Sequence, residues 1–199
     1  MDKFVTGCDL RAEFHVTIKN TTGIMEKIKV RNFDDDEAKE LSDVVLKIEN
    51  QKFYVLKKYL STHCTYFEAL LMNENFVESG KSEIELKDVD PNYFQDFLEL
   101  IYAVALVKET TVMGILKLAD YFNAPIAIQR CEEFLMKNLK NSLAEKFGLS
   151  IKYKMDNLKS NCLMEMKNSE DVKRVIPEVS DFHEECVYKE LLDKTLSFK

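Results

Sequence analysis

His15, His63 and His183 are the side chains best suited to proton transfer or metal binding near neutral pH, and they lie far apart in the chain. His183-Glu184-Glu185-Cys186 brings three ligand types together, but neighbouring residues on a helix point in different directions. The run therefore lacks the spacing that sets two zinc ligands on one face. Asp34-Asp35-Asp36-Glu37 has neither the alternation nor the central glycine of a calcium loop. Acidic residues opening a short helix, against its positive dipole end, account for it better. The five glycines never cluster into a phosphate-cradling loop, and no Gly-x-Ser-x-Gly elbow occurs. Glu132 and Glu133 are adjacent, so on a helix they diverge and cannot share a substrate. These residues predict no catalytic site, no cofactor and no metal, and a chain that is not an enzyme.

Cys8, Cys64, Cys131, Cys162 and Cys186 are odd in number, widely spaced, and include no Cys-x-x-Cys pair. Four of them fall in helical patterns, three on apolar stripes, as buried thiols do. That usage predicts a reducing compartment: an intracellular protein, cytoplasmic or nuclear. Met1-Asp2-Lys3 leads into no apolar core of signal-peptide length, and no apolar run approaches membrane-spanning length. A net charge of −7 argues against nucleic acid or an anionic membrane as the main partner. Lys152, Lys154 and Lys159 form a local basic stretch that reads as a solvated helix face. With 199 residues and 46% apolar content, the chain holds one medium domain or a domain plus an appendage.

Several elements can be placed in chain order. Leu10, Ala12, Phe14, Val16 and Ile18 alternate with Arg11, Glu13, His15, Thr17 and Lys19, the period of a half-buried strand that needs a sheet to join. Asp43 to Ile48 and Phe53 to Val55 read as a hairpin around Glu49-Asn50-Gln51. Leu60, Cys64, Phe67, Leu70 and Leu71 recur at helical spacing, and a strand follows at Glu83-Ile84-Glu85-Leu86. Asp90-Pro91 opens a long helix striped by Phe94, Phe97, Leu98, Ile101 and Tyr102. Val104 to Val107 reads as an edge strand. From Thr111 onward the chain is helical in pairs. Leu118-Ala119 and Phe122 precede Cys131 by the offsets at which Leu149-Ser150 and Tyr153 precede Cys162, as in two stacked hairpins. Ser142 with Glu145, Asp156, and Ser169 or Ser180 mark helix starts, and Pro177 is expected to separate the last two helices.

The order of anchors from Ser42 to Leu135 resembles the BTB/POZ domain, a protein–protein interaction module. The resemblance implies an α+β fold: a helical cluster flanked by a short mixed sheet over residues 34–139. An all-helical extension over 140–199 is similar to the 3-box or the start of BACK. Residues 1–33, strand and linker, resemble the end of a MATH domain, as in nematode-type proteins. Leu56-Lys57 stands where the family favours His-Lys, Cys64 where it has Ser, and Tyr102-Ala103 where it has Tyr-Gly. Only about Asp34 to Leu41 is available for the helix that swaps across the family's homodimer.

Phe76-Val77-Glu78-Ser79 matches the hydrophobic-x-Glu loop by which BTB adaptors grip the N-terminal domain of cullin-3. One exposed apolar anchor would fill a partner pocket, with a carboxylate beside it. The resemblance implies Phe76 and Glu78 as partner-binding residues, with Leu71, Met72 and Tyr121 where the family's helices approach the scaffold. The expectation is a cullin-3 ubiquitin-ligase adaptor. The alternative is a self-associating scaffold module, transcriptional or cytoskeletal, without cullin contact.

Overall fold

Asp35 caps the first described helix: its carboxylate accepts from the Ala38 amide at 2.7 Å ahead of α1 (Asp36–Glu40), whose first turn is acidic as expected. The computed structural model describes residues 31–73, 80–138, 140–179 and 185–198, so the segment Leu10 to Ile18 lies outside them. β1 (Val44–Ile48) and β2 (Gln51–Val55) pair antiparallel, Val44 opposite Val55 and Ile48 opposite Gln51. Glu49 turns the hairpin at φ 52°, the positive φ that short hairpin loops require at their first position. α2 (Lys57–His63) and α3 (Thr65–Met72) lead to β3 (Glu83–Glu85), parallel to β1 with Leu46 beside Ile84. The sheet order is β2-β1-β3, and alternate residues of β1 are buried.

The expected helix at Asp90-Pro91 forms as α4 (Pro91–Ile101). Asp90 accepts from the amides of Asn92 at 2.8 Å and Tyr93 at 3.3 Å, and Pro91 loses no bond at the first helical position. Two hairpins follow: α5 (Val112–Tyr121) with α6 (Pro125–Lys137), then α7 (Leu143–Lys152) with α8 (Asp156–Glu165). α9 (Ser169–Val179) packs on α7, and α10 (Glu185–Leu196) closes the described chain. The capping box at Ser142 and Glu145 is present, with both reciprocal bonds formed.

The hairpin repeat is real in three dimensions. Ala119, Phe122, Ala124, Ala127, Cys131 and Leu135 are buried, and so are Ser150, Tyr153, Met155, Leu158, Cys162 and Met166 at the positions 31 residues later. Both first helices end the same way. Ala124 N–H bonds to Ala119 O at 2.7 Å and Met155 N–H to Ser150 O at 2.8 Å. Asn123 (φ 49°) and Lys154 (φ 53°) take the left-handed turn between helices.

Two expectations are corrected. Val104 to Val107 is not a strand: α4 ends in the same left-handed turn, at Ala103, and the amides of Val104 and Ala105 fold back onto Glu99 O. Pro177 lies inside α9, which runs two residues past it because Val175 and Val179 are both held in the core. Asp156 and Ser169 do start α8 and α9, as first helical residues whose side chains do not cap. Glu132 and Asn168 supply the acceptors instead.

Candidate partner-binding surface

Phe122 organises the surface from below. Its ring centroid lies 4.7 Å from Phe67, 5.8 Å from Phe94 and 5.5 Å from Phe97, all fully buried. That aromatic cluster ties α3, α4 and the end of α5 into one body. Cys64, ahead of α3, offers no side-chain cap, so the first amides of the helix need other acceptors. The end of α5 supplies them: Thr65 N–H bonds to Asn123 O and Tyr66 N–H to Phe122 O, each at 3.3 Å. The Asn123 side-chain amide also donates to Thr65 Oγ1 at 2.6 Å.

Two of the five expected partner residues are exposed on this frame. Tyr121 is 54% exposed, with its ring 5.6 Å from Tyr66 and 5.0 Å from Phe122. Met72 is 49% exposed at the last position of α3. Leu71 is corrected: it is 3% exposed, so its side chain anchors α3 in the core and presents nothing to a partner. Its place on the buried stripe with Phe67 was visible in the spacing. Phe76 and Glu78 fall in residues 74–79, outside the described residues. The described chain leaves α3 at Asn73 and resumes at Gly80, where Ser82 O then accepts from Val45 N–H at 2.9 Å.

The three buried cysteines among the described residues are not activated nucleophiles. Burial pushes the Cys64 and Cys131 thiols up to about 12 and the Cys162 thiol to about 11, which keeps all three neutral. Among the described residues no group of three His, Cys, Asp or Glu could hold a metal ion. No described helix is long and apolar enough to cross a membrane. The basic stretch is taken up locally, with Lys159 paired to Glu190 at 3.1 Å and Lys152 over the Tyr153 ring.

Two features escaped sequence reasoning. Glu132 is buried and reaches α8, where its carboxylate accepts from Leu158 N–H at 2.8 Å and from the Asn157 amide at 3.1 Å. Tyr153 is buried with a hydroxyl that has no hydrogen-bond partner among the described residues. Burial, with the Asp120 charge beside it, pushes that phenol up. The 31-residue offset from Phe122 was the signal that pointed to Tyr153. Nothing local pointed to Glu132.

The sequence pattern of the BTB/POZ domain family matches residues 33–139, more than half of the chain. The chain belongs to the BTB/POZ family. BTB and MATH domain-containing protein 15 of Caenorhabditis elegans is 38% identical over 148 residues, which cover 74% of this chain and 53% of that protein. BTB and MATH domain-containing protein 45 of the same organism is 31% identical over 173 residues, 87% of this chain and 36% of that protein. These relatives put it in the nematode-type BTB family, and the chain spans about half their length or less. The BTB domain of zebrafish PATZ1, a solved structure, overlaps 49% of this chain and 78% of its own at 23% identity and a TM-score of 0.41. The molecule is thus an α+β BTB domain followed by helices, and a BTB domain is a protein-interaction module.

Proposed function

We propose that this BTB protein is an adaptor that docks onto the N-terminal domain of cullin-3, leaving ubiquitin-transfer chemistry to other subunits. The observation that carries the reading is the pairing of exposed Met72 and Tyr121 with their locked neighbours Leu71 and Phe122. A surface whose side chains face solvent from a rigid base is what a hot-spot interface needs, because little ordering remains to be done on binding. Phe76 and Glu78 follow Met72 within a few residues and match the family's hydrophobic-x-Glu motif. In this reading Phe76 is the apolar anchor, Glu78 the polar contact, and Met72 and Tyr121 the flanks. In this reading residues 34–139 are the interaction domain and 140–199 a helical extension. The buried, protonated thiols suit work inside the cell, in cytoplasm or nucleus.

Size-exclusion chromatography with light scattering, run with and without the cullin-3 N-terminal domain, tests the proposal. A complex of this chain with the cullin domain supports it. A homodimer that ignores the cullin domain would instead identify a self-associating scaffold module. α1 is only five residues long, which weighs against a dimer built on exchange of that helix.

A further inference from the structure

We draw no further inference here: the strongest candidate, the apolar cleft of about 410 Å³ that Leu100, Ala103, Leu106, Val107 and Phe134 line between the end of α4 and α6, is an unpartnered surface, and nothing in the structure shows what covers it.

Discussion

Glu132 on α6 caps a helix to which it is not joined: its carboxylate accepts the Leu158 amide of α8 at 2.8 Å. The first turn of α8 has no cap of its own, because Met155 stands at the position where Ser or Asp would serve. The charge is favourable there, facing the positive end of the helix dipole from a buried position. One side chain thereby fixes the second hairpin against the first.

Replacing Glu132 by Leu should cost about 1–3 kcal/mol, the penalty of leaving buried amides without an acceptor. Glu132→Gln keeps an acceptor and should cost less. Urea denaturation of the two variants checks the order; equal stability of both with the unaltered protein would refute the cap.

Ala103 holds the left-handed turn that ends α4, at φ 57°, with Ala103 N–H bonded to Leu100 O and Val104 N–H to Glu99 O. A Cβ is strained there, so Ala103→Gly should stabilise the fold by about 1 kcal/mol, read as a higher melting temperature.

Gly114 is the opposite case. The ring of Tyr93 packs where a Cβ at this position would lie, so α4 and α5 meet through the missing side chain. Gly114→Ala should lower stability by about 1–3 kcal/mol even though alanine is the better helix former. A thermal melt that rises would show that the Tyr93 ring moves aside freely.

Local signals made much of this legible. Asp35, Asp90 and Ser142 sit beside the helices they cap, so their roles can be read from a few adjacent residues. The stripe of Phe94, Phe97 and Leu98 and the offset linking Cys131 to Cys162 are likewise local patterns. Acceptors supplied across the fold were not legible. Asp43 takes the Lys57 amide at 2.6 Å, Phe122 and Asn123 take those of α3, and Glu132 those of α8. Each pairing exists only after the chain has packed. Val104 to Val107 was misread because apolar content alone does not separate a strand from a loop that follows a left-handed turn. Of the surface, Leu71 was misread as a partner contact although its spacing from Phe67 put it on the buried stripe, Met72 and Tyr121 are exposed, and Phe76 and Glu78 remain proposals.

The buried thiols set a limit on alkaline stability. Folding raises Cys64 and Cys131 from 9.0 to about 12, and Cys162 to about 11. Their neutral forms belong to the native state, so this stabilisation is full below pH 9 and is lost as pH rises through the window up to about 12. Chemical denaturation at pH 8 and pH 10.5 should show the loss. Cys64→Ser or Cys131→Ser would flatten the slope, and a slope unchanged in both would contradict the assignment.

We propose that Phe76 and Glu78, with exposed Met72 and Tyr121 as flanks, hold a cullin. Isothermal titration with the cullin-3 N-terminal domain tests it most directly, comparing the unaltered chain with Phe76→Ala/Glu78→Ala and with Tyr121→Ala. The account predicts saturable binding by the unaltered chain, Kd raised at least about tenfold by the double substitution, and a smaller rise for Tyr121→Ala. Equal affinity for all three proteins would contradict it.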